Sequence, residues 1–321
     1  MNLPLVLVPS PAPKDVLDAI RGRFDLLQPS NQEELDAILT DRGEEIEVIA
    51  NPGEGPLGKD LLERLPNLRL IAHFGVGYDT VDAPEAVRRG VVVTNVAGSN
   101  DEEVADTAMG LLLMTVRELS QAQEHLRRGR WHEGPYPLTR FSLQGRTMGV
   151  LGMGHIGQAI ARRAAAFGIS VSYHARHERN LELPYYPDLR DMARDVDILV
   201  VATPGGASTR HLVDAEILRN LGSGGVLINV ARGSVVDEQA LIATLADGTL
   251  GAAGLDVYED EPNVPPELLA LHNAVLLPHV GSGSVPTRRR MAELGAANLQ
   301  SWFTDGTVLT PVPEARVLTA Q

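Results

Sequence analysis

The chain has 321 residues, 44% of them hydrophobic and 22% charged, an ordinary globular balance at a length that favours two domains sharing a cleft over one. No apolar run is long enough to span a bilayer, and a formal net charge of -14 repels polyanions, so a soluble protein with neither a membrane nor a nucleic-acid partner is expected. The chain has no cysteine, which excludes disulfides and thiolate chemistry and suits a reducing cytoplasm. An anionic small-molecule substrate stays open to it, because a few arginines can dominate the field inside a cleft.

The apolar start, Met1 to Pro9, has no basic lead and no small-residue cleavage site, and reads as a first strand rather than a signal peptide. Residues 5–8, 47–50, 68–72 and 91–96 are strand-like, with helical spacing over 15–21 and 58–65 between them, which is an α/β unit. Ser99-Asn100-Asp101-Glu102 matches a capping box with Ser99 as N-cap. The apolar spacing of Val104, Ala108, Leu111, Leu112, Thr115 and Leu119 predicts one long helix that Gly129 stops, long enough to run from one domain to the other.

From Thr147 the alternation resumes, with strand-like runs over 148–151, 170–173, 198–202, 226–230, 252–257 and 274–277. Strands separated by helical patterns imply parallel pairing in a doubly wound sheet. A last helix, about 286–303, has no strand left to serve there and is expected to return to the first domain. The expected division is 1–98 completed by 287–321, with 99–286 as a Rossmann domain.

Gly152-Met153-Gly154-His155-Ile156-Gly157 follows a strand-like run and precedes a good helix, the context in which G-x-G-x-x-G cradles a dinucleotide. Gly152 permits the tight turn, Gly154 the approach of a pyrophosphate, and Gly157 close packing of helix on sheet. About 20 residues on, NAD-preferring loops carry an acid for the ribose hydroxyls, but here the strand ends Tyr173-His174-Ala175-Arg176-His177. Arg176 can grip the extra phosphate of NADP in a bidentate way, so NADP(H) is the preferred cofactor and NAD(H) a possible one. His155 and His174 suit cofactor binding. The alternative is that Arg176 is a solvated loop arginine.

Three candidate chemical groups fall at the carboxyl ends of successive strands, where doubly wound sheets bind ligands. Arg232, after Val226 to Val230, can hold a carboxylate or pair structurally with a nearby acid, and local sequence does not choose between the two. Glu259 and Glu261 follow the next strand and His279 the last. A histidine kept protonated and oriented by a carboxylate is a fit proton donor to a carbonyl near neutral pH. Of the nine histidines, His73 is the main rival, since it also ends a strand, although such a residue is more often structural.

These motifs, together with Phe74 to Asp82, Asn229 to Gly233, Gly254 to Tyr258, Glu261-Pro262 and Pro278-His279, resemble the D-isomer-specific 2-hydroxyacid dehydrogenases over nearly the whole chain. Arg176 and Thr203-Pro204-Gly205-Gly206 are most similar to NADPH-dependent glyoxylate/hydroxypyruvate reductases. The resemblance implies a flavodoxin-like substrate domain, a Rossmann cofactor domain and a homodimer. It implies reduction of a small 2-keto acid to its D-2-hydroxy acid, with Arg232, Glu261 and His279 as the catalytic set and no metal. The Glu-Pro step favours Glu261 over Glu259. The backbone amides of Val76 and Gly77, with Arg232 and His279, would bind substrate. Asp256 would meet the nicotinamide carboxamide, and Ile156, Thr203, Pro204 and Gly281 complete the implied cofactor contacts.

The same scaffold serves formate and phosphite enzymes, but these carry a glutamine for the paired glutamate or a lysine where Val76 stands. No C-terminal regulatory domain is expected after the returning helix. Reductases of 2-ketogluconate or pyruvate, and a nicotinamide-sensing corepressor, are the remaining alternatives.

Overall fold

A computed structural model describes residues 3–53, 55 and 57–319. Met1 and Asn2, part of the predicted first strand, lie outside the described residues. The chain divides into two compact units, Met1–Asn100 with Ser284–Gln321, and Asp101–Gly283. Among the described residues no helix is long and apolar enough to cross a membrane.

In the first unit, β1 (Leu5–Leu7), β2 (Asp25–Leu27), β3 (Val48–Asn51), β4 (Leu70–His73) and β5 (Val92–Thr94) form one sheet of order β2-β1-β3-β4-β5. All neighbours run parallel, and the order is that of flavodoxin-like folds. Every residue of β3, β4 and β5 is buried, as a parallel sheet covered on both faces requires. Helix Val285–Asp305 belongs to this unit, and Gly295 admits the Phe74 ring there, where a Cβ would lie 2.5 Å from its edge.

The second sheet comprises β6 (Thr147–Leu151), β7 (Ser170–His174), β8 (Ile198–Val201), β9 (Val226–Asn229), β10 (Ala252–Leu255) and β11 (Ala274–Leu276), in the parallel order β11-β10-β9-β8-β6-β7. The alternation of a strand sorts its side chains into two cores. Ile198, Val200, Val226 and Ile228 face one with helix Asp101–Val116, whereas Leu199, Val201 and Leu227 face the other. The strand order reverses between β6 and β8, the position at which open α/β sheets leave a ligand crevice.

Three elements went unanticipated and two local expectations need correction. Strand β2 and helices Gln32–Arg42 and Ala83–Arg88 were not anticipated. The second of these has a capping arrangement of its own, with Asn31 accepting from the Glu34 N–H at 2.9 Å and Glu34 reaching back to the Ser30 N–H at 2.8 Å. At Ser99 the capping box does not form, because its hydroxyl donates to the Val96 carbonyl at 2.5 Å and the helix begins at Asp101. The single long helix is two, Asp101–Val116 and Leu119–Arg127, broken where Glu118 turns left-handed (φ 49°) and accepts from the Tyr136 hydroxyl at 2.8 Å. The break falls where burial ends: the first helix packs eight residues into the core, and the second buries none. Gly129, at φ 71°, stops the second helix as expected.

Candidate active site

At the crevice of the second sheet, β6 ends in the glycine loop and β8 in Thr203-Pro204. Gly152 has φ 97°, and a Cβ there would meet the Thr203 nitrogen at 2.7 Å, so this turn needs glycine for both conformation and space. A Cβ on Gly157 would strike the Gly152 carbonyl oxygen, whereas Gly154 faces open space. Of the three glycines, only Gly154 leaves open space beside its α-carbon. Gly154 caps helix His155–Ala166, which has no side-chain cap and whose first-turn N–H groups lack intrahelical partners, a ready anion site. Ile156 is half-buried and packs on the core behind it.

His155 is exposed, with Nδ1 3.3 Å from Asp101 Oδ2. Burial pushes the Asp101 carboxyl up, against the pull of His155. His174, at the end of β7, donates from Nδ1 to the Tyr186 carbonyl at 2.8 Å, which fixes its ring. Arg176, two residues farther, is exposed and forms no ion pair with a described residue. Its guanidinium is therefore not consumed by a neighbouring acid.

The ends of β9, β10 and β11 carry the second cluster. Asn229, 1% exposed, accepts from the Ala231 N–H at 3.1 Å and donates to the Arg232 carbonyl at 3.0 Å, so a buried side chain shapes the turn that presents Arg232. Gly233 follows because its α-carbon lies flush against the Tyr258–Glu259 peptide, and any Cβ would overlap the Tyr258 carbonyl. The Arg232 side chain is half-buried, and one guanidinium nitrogen donates to the Ala231 carbonyl at 2.7 Å.

His279 Nδ1 lies 2.6 Å from Glu261 Oε2, and the other Glu261 oxygen accepts from the Tyr258 N–H at 3.0 Å. Burial alone would push the Glu261 carboxyl up. The hydrogen bonds from His279 and Tyr258, and the charges of His279 and Arg232, outweigh it and hold the group below its ordinary 4.5. A carboxyl whose folded value is depressed contributes stability above its unfolded value and loses it as pH falls through the folded one. In denaturant titrations the advantage of wild type over Glu261→Gln is accordingly expected to persist above pH 4.5 and to vanish progressively below it. A gap between the two proteins that stays constant through that range would mean that Glu261 is not held as an ionised partner.

His279 adopts φ 51°, a left-handed backbone that costs a non-glycine residue about 1–2 kcal/mol. Asp256 holds it there. Its carbonyl accepts from the His279 N–H at 2.9 Å, and its two carboxylate oxygens accept from Val280 at 2.7 Å and Gly281 at 2.8 Å. Three consecutive N–H groups are thus gripped by one residue, itself 2% exposed. Burial raises the Asp256 carboxyl, while the two N–H bonds oppose the rise. Gly281 is buried, and a Cβ there would lie 2.9 Å from Asp256 Oδ2. Tyr258 adds a further tie, its hydroxyl donating to the Leu277 carbonyl at 2.9 Å. Burial pushes that phenol up to about 12, so it remains a donor.

Sequence reasoning left Glu259 as the rival of Glu261, and the fold separates them, since Glu259 turns to Arg210 at 2.5 Å and to His211 Nε2 at 2.9 Å. Arg210 and His211 were not singled out, nor was Asn229 as the residue that shapes the arginine turn. The signal for Asn229 was a polar residue closing an otherwise apolar strand.

In the first unit, the loop after β4 is built around His73, which is 1% exposed. Asn51 donates to its Nδ1 at 2.9 Å, and Nε2 donates to the Gly77 carbonyl at 2.8 Å. The Val76 carbonyl accepts from the Asn95 amide at 2.7 Å, and the Gly75 carbonyl from the Val96 N–H at 3.1 Å. With three successive carbonyls tied inward, the N–H groups of Val76 and Gly77 donate to no described residue. His73 is thereby placed as a pin beneath this loop. Among the described residues no cluster of histidines and acids has the makings of a metal site.

The D-isomer specific 2-hydroxyacid dehydrogenase NAD-binding domain model matches residues 109–281. A glyoxylate/hydroxypyruvate reductase A of Arabidopsis thaliana is 41% identical over 96% of this chain and 98% of its own. A 2-ketogluconate reductase of Gluconobacter oxydans is 40% identical over 82% and 85%. Among solved structures, an NADPH-dependent glyoxylate/hydroxypyruvate reductase from Sinorhizobium meliloti, in complex with NADP and malonate, superposes with TM-score 0.92 and 49% identity, covering 97% of each chain. With its two parallel sheets, its glycine loop and these likenesses along nearly its full length, the chain belongs to the D-isomer specific 2-hydroxyacid dehydrogenase family.

Proposed function

We propose that this protein reduces small 2-keto acids, glyoxylate and hydroxypyruvate foremost, to their D-2-hydroxy acids with NADPH. The observation that carries the reading is the His279–Glu261 contact of 2.6 Å, at a strand end near that of Arg232, in the unit that also holds the glycine loop. A nicotinamide dinucleotide fits the residues present: Gly154 is open where Gly152 and Gly157 are closed, a helix start faces that gap, and Arg176 is unpaired among the described residues. Gly152, Gly154, His155, Ile156 and Gly157 would hold the pyrophosphate region, and His174 and Arg176 the ribose phosphate. Thr203, Pro204, Asp256 and Gly281 would flank the nicotinamide side. Both Asp256 oxygens already serve the loop, so only their second lone pairs remain for a carboxamide.

When bound, the reduced nicotinamide supplies the hydride. Arg232 binds and orients the carboxylate and carbonyl of the acid. With Nδ1 of His279 committed to Glu261, the proton for the carbonyl oxygen sits on Nε2. The backbone N–H groups of Val76 and Gly77, which donate to no described residue, would be a further carboxylate-binding feature, as the family resemblance implies. A homodimer is also proposed, in keeping with Leu126, Trp131 and Leu138, which are 56%, 68% and 99% exposed in one stretch of the second unit. The proposed setting is the cytoplasm, with no nucleic-acid partner for a chain of charge -14.

The test is absorbance-monitored oxidation of NADPH, and separately NADH, with glyoxylate, hydroxypyruvate, pyruvate and 2-ketogluconate. Rapid turnover of the first two with NADPH is expected. Tight cofactor binding without turnover of any acid would instead favour a redox-sensing binding protein. Arg176→Ala is expected to weaken NADPH binding about 10- to 100-fold, the value of a charge-assisted contact, and to change NADH binding by less than about twofold. Equal losses with both cofactors would return Arg176 to a general structural role.

A further inference from the structure

The turn that carries Glu261 is gripped from a second side by groups with no part in the chemistry above. Glu259 Oε1 accepts from Arg210 at 2.5 Å and lies 2.9 Å from His211 Nε2, with the Glu259 side chain only 25% exposed. The backbone N–H of Glu259 donates to Glu238 Oε2 at 3.2 Å, from the first residue of helix Glu238–Ala246. Glu238 is buried, and burial raises its carboxyl against the pull of the Glu259 N–H, with smaller help from the charges of Glu259 and Asp260.

His211 is itself fixed. Its backbone is left-handed at φ 51°, the same value as at His279, and its N–H donates to the Ser234 carbonyl at 2.8 Å. Two residues on, Val213 donates to Val235 at 3.0 Å, and Asp237 donates back to Val213 at 3.0 Å. The segment 203–213 is therefore stitched to the Arg232 turn. That turn lies flush against the Tyr258–Glu259 peptide through Gly233, and Glu259 reaches back to residues 210 and 211. The three connections close a ring among the loops that carry Thr203, Arg232 and Glu261. Two glutamates two residues apart on one turn each meet a histidine held at positive φ, Glu261 meeting His279 and Glu259 meeting His211.

We propose that Glu259, clasped by Arg210 and His211, is a positioning residue that locks the Tyr258–Glu261 turn to the Arg232 turn and so sets the alignment of Arg232, Glu261 and His279. This rests on the reading of those three residues given above. A clasp between partly exposed ions contributes little to global stability, about 0–1 kcal/mol in ordinary cases. Its value here is geometric, since displacing a reacting group by about 1 Å can cost on the order of 100-fold in rate.

The experiment compares Glu259→Ala, Glu259→Gln and His279→Ala in the full-length protein, measuring kcat and KM for the keto acid, NADPH affinity by nicotinamide fluorescence, and thermal midpoint. For Glu259→Ala the expected result is a fall in kcat/KM of about tenfold, with a raised keto-acid KM, NADPH affinity within about twofold of wild type and a midpoint within about 5 °C. Glu259→Gln keeps an oxygen that accepts from both partners, and recovery to within about threefold of wild type is expected. Wild-type kinetics in Glu259→Ala, with His279→Ala inactive, would overturn the positioning role alone. So would a loss of kcat at unchanged KM accompanied by a collapsed midpoint and weakened NADPH binding, which is general loosening. Wild-type turnover in His279→Ala would overturn the site assignment on which the proposal rests.

Discussion

Replacing His279 with alanine is expected to lower kcat by about 100- to 10,000-fold, the usual contribution of a positioned general acid, with a smaller change in keto-acid KM. The geometry leaves little redundancy. Glu261 holds Nδ1 at 2.6 Å, so Nε2 is the nitrogen with a free valence for substrate, and no second described histidine shares this contact. His73 cannot substitute, because both of its ring nitrogens are engaged beneath its own loop at 1% exposure. The left-handed backbone at position 279 calls for a control. Asparagine enters that region more readily than most residues, so His279→Asn preserves the loop while removing the acid. Equal loss in both variants, measured by steady-state turnover at neutral pH, assigns the effect to proton transfer. Near-normal turnover in either would place the acid elsewhere.

Arg232→Ala is the second large effect, expected both to lower kcat and to raise keto-acid KM, for a loss in kcat/KM of about 100-fold or more, because truncating one partner of a desolvated charge pair costs about 2–5 kcal/mol. The arginine sits on a turn shaped by buried Asn229 and pressed against the Tyr258 carbonyl, so its guanidinium is delivered with little freedom. Its positive charge also helps hold Glu261 ionised. Removing it therefore weakens the grip on the substrate carboxylate and disturbs the partner of His279 together. Arg232→Lys keeps the charge but loses the planar fork, and an intermediate loss is expected. A pure KM effect with unchanged kcat, from either variant, would reduce Arg232 to an anchor that does not serve the transition state.

Much of this site was legible before any fold was known, and the reason is local. The three glycines of the 152–157 loop answer to constraints that act over a few residues: a positive φ at Gly152, open space at Gly154 and a backbone contact at Gly157. Strand positions were readable because parallel sheets bury both faces and leave unbroken apolar runs, as over Ile198–Val201 and Val226–Asn229. The short strand β2 escaped because Asp25 is exposed and its neighbours are only half-buried, so no such run marks it.

The sequence by itself determined the doubly wound class, the glycine loop, the missing acid beyond β7 and the set of strand-end residues proposed to carry the chemistry. Only tertiary structure decided which partner each polar group takes. It kept Glu261 for His279, the pairing the resemblance had implied, gave His211 to Glu259, spent the oxygens of Asp256 on the loop beneath His279, withdrew Ser99 from capping and broke the long helix at Glu118. Backbone preference and apolar period are properties of a few consecutive residues and can be read in order. Partnership between side chains depends on which strand ends lie side by side and in what register, and that is fixed only when segments far apart in the chain pack together.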